Sequence, residues 1–302
     1  MGAAKTPQPI AIKSHKRQNK EREIMTRFYT RLGVTALTTW TLTMGALSPA
    51  LAELASLPAG DQPEARGLAI AKASDATNLG YGDTRTEMEM ILTNANGDVS
   101  ERRLRFNTLE NKNPDDGDWS MMIFDEPRDV SGTAMLTYAH ILDADEQWMY
   151  LPALKRVKRI SSVNKSGPFM GSEFAFEDFS SQEVGKYSYV WLRDEACGEL
   201  TCHVVERKPL YQYSGYTRMI SWTDTTDYQV RKIDYYDRKN TLLKTLTFDD
   251  YRQYEGQYWR AHELFMQNHV TEKTTLLRWD DYQFNTGLTA QDFSQNSLKR
   301  SR

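Results

Sequence analysis

The chain has 302 residues, with 38 Lys+Arg against 41 Asp+Glu, two cysteines, 39% apolar residues and 26% charged ones. That composition excludes a polytopic membrane protein, a collagen-like chain and a purely disordered one. The net charge of −3 argues against nucleic-acid binding by the chain as a whole.

The charge is unevenly spread. Residues 1–52 carry eight basic groups and two acids, which leaves 30 basic and 39 acidic residues, a formal −9, for 53–302. From Met25 the chain runs through a basic start (MTRFYTR), an uncharged stretch from Leu32 to Leu51 and the small-residue end Ala50-Leu51-Ala52. This order is that of a secretory signal peptide over 25–52, cleaved after Ala52. Residues 1–24 then read as an over-long start or an extended basic region. The stretch is Thr-rich and contains Pro49, which makes it a poor membrane span. Export to an oxidising space suits a disulfide.

Residues 53–80 read as a linker with one short helix within 62–77. From there period-two alternation dominates. In 84–93, Met88, Met90 and Leu92 oppose Glu87 and Glu89; in 101–107, Leu104 and Phe106 oppose Arg103 and Arg105; in 117–124, Trp119 and Met121 oppose Ser120 and Met122. Further runs lie near 133–141, 147–151, 155–160, 186–193, 202–208, 216–223, 229–236, 241–251, 257–269 and 273–284. Turn signals such as Asn96-Gly97, Pro152 and Glu255-Gly256 separate them. About a dozen strands with short connections predict a barrel or a strongly curved sheet, placed here in one domain over 81–302.

Three stretches interrupt or qualify this pattern. Lys155, Arg156, Lys158 and Arg159 form a basic run within an acidic body. It suits either a solvated edge strand or a docking patch for an acidic protein or anionic headgroups. Residues 161–182 are too long for a hairpin turn and contain Phe169, Met170, Phe174, Phe176 and Phe179. Such a loop must bury its apolar groups, as a fixed plug on the core or as a mobile lid over an apolar cavity. Cys197 and Cys202 flank a turn between two strand-like runs, which predicts a hairpin disulfide. No His-Glu-x-x-His, nucleophile elbow or phosphate-binding glycine loop is present, so no enzyme, metal or cofactor is expected.

Three further segments carry a family likeness: Gln147 to Ile160 (QWMYLPALKRVKRI); Gly167-Pro168-Phe169-Met170-Gly171-Ser172 followed by Phe176-Glu177-Asp178-Phe179; and Tyr235-Tyr236-Asp237 through Lys244–Phe248 to Phe284–Leu288. Over roughly 80–302 the chain resembles the outer-membrane lipoprotein-sorting family of LolA-like periplasmic proteins, including a group associated with RND/MMPL-type exporters. The resemblance implies a mainly β fold: an unclosed, strongly curved antiparallel barrel of about eleven strands, with a capping lid over a hydrophobic cavity. It also implies a carrier that shields the acyl chains of a lipoprotein or lipid across the periplasm. On that reading Met88, Met90, Phe106, Met121, Trp148 and Tyr150 are candidate wall residues and the loop phenylalanines with Met170 the candidate lid. The alternative is a non-enzymatic sensor or adaptor of the same fold, with an inner-membrane RND/MMPL-type transporter as candidate partner.

Overall fold

In a computed structural model the described residues are 57–113, 116–141 and 143–300. The expected signal peptide, 25–52, lies outside them. Thirteen strands form one antiparallel sheet. They are β1 (Asp83–Thr93), β2 (Val99–Leu109), β3 (Asp116–Glu126), β4 (Ala134–His140), β5 (Glu146–Leu151), β6 (Arg156–Ile160), β7 (Tyr187–Cys197), β8 (Leu200–Pro209), β9 (Arg218–Asp224), β10 (Val230–Tyr236), β11 (Leu242–Tyr254), β12 (Tyr258–Asn268) and β13 (Thr274–Phe284). Among the described residues two α-helices accompany them, α1 (Pro63–Ala76) and α2 (Gln295–Arg300).

The order in the sheet is β6-β5-β4-β3-β2-β1-β13-β12-β11-β10-β9-β8-β7. Each strand therefore pairs with its sequence neighbours except at the β6–β7 step, and β13 returns to β1. The two free edges, β6 and β7, are consecutive in the chain. Residues 161–186 join them, so this segment stands where a closing strand pair would complete a barrel. The sheet remains open and wraps around one cluster. Met88, Leu104, Phe124, Met135 and Met149 from the first five strands meet Val205, Met219, Ile233, Leu246, Met266 and Leu277 from the last six in that cluster. Thirteen strands exceed the eleven that the resemblance implies.

Alternation decides which side chains reach this inner face. On β1, Met88 and Met90 point in, while Glu89 points out toward Arg278 of β13. The outer face of β3–β5 is also apolar and has its own cover. Leu288, Phe293 and Leu298 from the C-terminal segment pack there on Met121, Ile123, Leu136 and Tyr150. Asp83 holds the start of that segment, accepting the Thr286 N–H at 2.9 Å, and the Tyr138 hydroxyl donates to the Phe293 carbonyl.

Helix α1 begins at Pro63, where the missing N–H costs nothing, and lies on the β7 edge. Gly67 permits the contact: a Cβ there would sit 2.7–2.9 Å from the backbone of Val190 and Trp191. Arg66 stacks over the Trp191 ring at 4.4 Å and pairs with Asp194 at 3.3 Å. One exposed edge is thus shielded by a helix, while β6 stays open and basic. Cys197 and Cys202 form a disulfide at the β7–β8 turn. Among the described residues no helix is long and apolar enough to cross a membrane.

Candidate functional site

The segment 161–186 crosses the inner face of the sheet and divides it. Phe169 sits at the centre, with ring centroids 5.9 Å from Phe124, 5.3 Å from Phe176 and 4.7 Å from Phe179. Phe169, Phe174 and Phe179 are buried in the main cluster, and Met170 and Phe176 are half-buried against it. All five candidate lid residues thus come together. The segment is docked on the core, and polar bonds fix it along its length.

Its two ends share one anchor. Asp145, in the turn after β4, accepts from Lys165 and from Lys186, each at 2.9 Å, and all three are buried. Burial alone would raise the Asp145 carboxyl, but the two ammonium groups hold it below its usual range. At the middle, Lys244 of β11 donates to the Glu173 carbonyl at 2.9 Å and to Asp178 at 2.7 Å. Tyr216 donates to Asp178 at 2.8 Å. Glu177 accepts from Tyr211, Ser214 and the Gly215 N–H at 2.8–3.0 Å. Burial and the neighbouring Asp178 push the Glu177 carboxyl up. These buried acids were not legible as site residues, because their partners come from β11 and the β8–β9 connection.

Beside this capped region a cavity of about 610 Å³ remains open. It lies between α1, residues 181–184 and the inner face of β8–β11. Its apolar wall includes Ile70, Val205, Val230, Ile233 and Phe248, and among the described residues Arg207 is the cation on its lining. The Arg207 guanidinium lies 5.1 Å from the Tyr187 ring, and its Nε is buried without a partner. Asp75, Asp118 and Glu183 stand on the same lining. Burial, with Glu183 adding to it, pushes Asp75 up to about 6. Asp118 also reaches about 6 through burial, against the lowering effect of the Asn111 N–H and the Tyr81 hydroxyl. The volume falls within the roughly 300–1,000 Å³ typical of small-ligand sites.

The expected wall residues fare differently. Met88, Met90 and Phe106 belong to the inner cluster, but none of the three lines this cavity. Met121, Trp148 and Tyr150 face the other way, into the cluster under the C-terminal segment. Both faces of β3–β5 are apolar, so alternation groups the residues of one face without saying which face is the inner one. Sequence reasoning missed the wall on β8–β11, although 202–208, 229–236 and 241–251 carry the same period-two signal.

Lys155, Arg156, Lys158 and Arg159 are all exposed. Lys155 adopts φ 48° at the end of a short turn, so strand alternation starts only at Arg156. Arg159 pairs with Glu146 at 2.7 Å. A second hollow, of about 520 Å³, lies over β1, β2, β12 and β13. Paired charges line it: Arg105 with Asp125, Arg278 with Glu89 and Glu263, Arg252 with Asp250. Among the described residues no group of three or more His, Cys, Asp or Glu could hold a metal.

A family model described as an uncharacterized protein family, DUF1329-like, matches residues 116–300, more than half of the chain. The chain is 52% identical to an outer membrane lipoprotein-sorting protein domain from Vibrio parahaemolyticus, with 78% of this chain and 99% of that one covered and a TM-score of 0.76. A DUF1329 family protein from Desulfovibrio piger is 27% identical over 78% of this chain and 99% of its own, with a TM-score of 0.74. A LolA superfamily protein from Nitrosomonas europaea is 17% identical over 76% and 98%, with a TM-score of 0.62, and shares the fold. No curated protein matches the chain. The chain belongs to the DUF1329-like family, and its fold is that of the LolA superfamily.

Proposed function

We propose that the protein is an exported, periplasmic, non-enzymatic carrier that shelters the acyl chain of a lipid or lipoprotein in the cavity between α1 and β8–β11. The observation that carries this reading is the cavity itself: about 610 Å³ of space with an apolar wall, in a fold whose relatives include a lipoprotein-sorting domain. Each methylene buried there gains about 0.8 kcal/mol. The Arg207 side chain on the lining offers a cation to the polar end of such an amphiphile.

Native mass spectrometry of protein purified from the periplasm tests the proposal. An acyl-containing adduct is expected, released on denaturation. Ala71→Trp, which fills the cavity from α1, should lower its occupancy at least about tenfold. Since a side chain added toward open space costs less than one forced into a packed core, the melting temperature should stay within a few degrees. An empty cavity in the wild type sinks the carrier reading. The exposed basic edge β6 supports a second reading, an adaptor for an inner-membrane RND/MMPL-type transporter. That reading gains if the cavity is empty while such a transporter co-purifies.

A further inference from the structure

The meander places alternate turns at opposite ends of the strands, and the two rims differ in charge and polarity. One rim carries the turns after β1, β3, β5, β8, β10 and β12. The other carries the turns after β2, β4, β7, β9 and β11. On this second rim stand Glu110, Asp116, Asp143, Glu199, Asp227 and Glu255, with Lys112 as the cation among its described turn residues. The first rim has Arg128, Lys155, Arg156, Arg238, Lys239 and Lys273 against Asp98, Glu126, Asp129, Asp237 and Glu272. In a body of charge −9 the first rim is therefore the cationic end.

Exposed apolar side chains sit at that same end. Val99, Leu154, Leu210, Tyr213 and Val270 each occupy or adjoin one of its turns, and they are 50–65% exposed. At the acidic rim the exposed large apolar residues are Leu79, Val163 just past the end of β6, and Leu200, the last only 41% exposed. The five are spread over separate turns, one or two per turn. They do not form the contiguous patch that marks a protein interface. Single apolar tips flanked by cations suit shallow insertion among headgroups with attraction to anionic lipid.

The cap is at this rim too. Arg102, near the start of β2, donates to the Met170 carbonyl. The Glu173 N–H donates to Thr275, near the start of β13, at 3.0 Å, and Asn268, at the end of β12, donates to Glu173 at 2.6 Å.

We propose that the cationic rim is a docking surface for an anionic phospholipid bilayer, which would set the 167–179 cap against the membrane. The proposal stands whether or not the cavity holds lipid. Protein expressed as the full chain and purified from the periplasm is floated with phosphatidylglycerol–phosphatidylethanolamine vesicles, and with phosphatidylcholine vesicles, at low salt and at 0.5 M salt. Flotation is expected with the anionic vesicles at low salt and should fall steeply at high salt. Each of Lys155→Gln, Arg156→Gln, Lys239→Gln and Lys273→Gln should weaken it about fivefold. Leu210→Ser with Val270→Ser should weaken it further, while Glu199→Gln with Glu255→Gln at the other rim should not weaken it. Equal flotation with phosphatidylcholine overturns the proposal. So does an absence of flotation, capture by immobilised polyglutamate alone, or indifference to the rim substitutions in variants that melt like the wild type.

Discussion

The inner face of the sheet has two regions built from the same strand chemistry. In one, the 161–186 segment adds Phe169, Phe174 and Phe179 to a cluster with the methionines of β1, β3, β4, β5 and β12; its Lys165 and Lys186 pair with Asp145, and Lys244 pairs with its Asp178. In the other, α1 bridges the β7 edge and leaves about 610 Å³ beneath it. The difference lies in what covers the strands. A flexible segment can follow the sheet and fill it to close-packed density, whereas a straight helix touches a concave surface along one line. A large curved sheet thereby keeps a stable core and an open cavity side by side.

The largest way to break this contrast is Phe169→Ala. Removal of a fully buried phenylalanine from a packed core costs about 3–5 kcal/mol, read from urea unfolding. A loss below about 1 kcal/mol would show that the cap contributes little to the fold and behaves as a mobile lid.

Next comes Asp145→Asn, which strands two buried ammonium groups. A loss on the order of 3 kcal/mol is expected, with faster amide exchange concentrated in 161–186. Faster exchange spread evenly over the sheet would mean that Asp145 supports the whole fold and does not fasten the cap.

The smallest effect sharpens the cavity side. Asp75 and Asp118 move from an ordinary 3.8 to about 6 on folding. Between about pH 4 and 6 the folded chain holds more protons at these two sites than the unfolded chain, so their contribution to stability falls as pH rises through that window. Asp145 has the opposite sign: its carboxyl is depressed, so its contribution is present above the ordinary carboxylate range and is lost as pH falls below it. Thermal melts of Asp75→Asn with Asp118→Asn should therefore vary less with pH from 4 to 6 than those of the wild type. Identical slopes would show that these acids do not resist ionisation in the folded chain.

The local readings depended on features that neighbours along the chain impose. Alternation located the strands, the Asn-Gly and Glu-Gly turns separated them, Pro63 marks where the helix within 62–77 begins, and the Cys197–Cys202 pairing followed from a short turn between two strands. The apolar loop had to be buried wherever it went. The sequence by itself determined the strand succession, the need for a curved sheet and the charge split between residues 1–52 and 53–302. Only the tertiary structure decided which face of β3–β5 is inner, because the C-terminal segment supplies an apolar cover that makes Met121, Trp148 and Tyr150 core residues of the outer side. Only the fold decided that the loop ends converge on Asp145, a residue that reads locally as a turn acid. It also decided that the cavity lies under α1 on β8–β11, since free space depends on how elements far apart in the chain fail to fill a common surface.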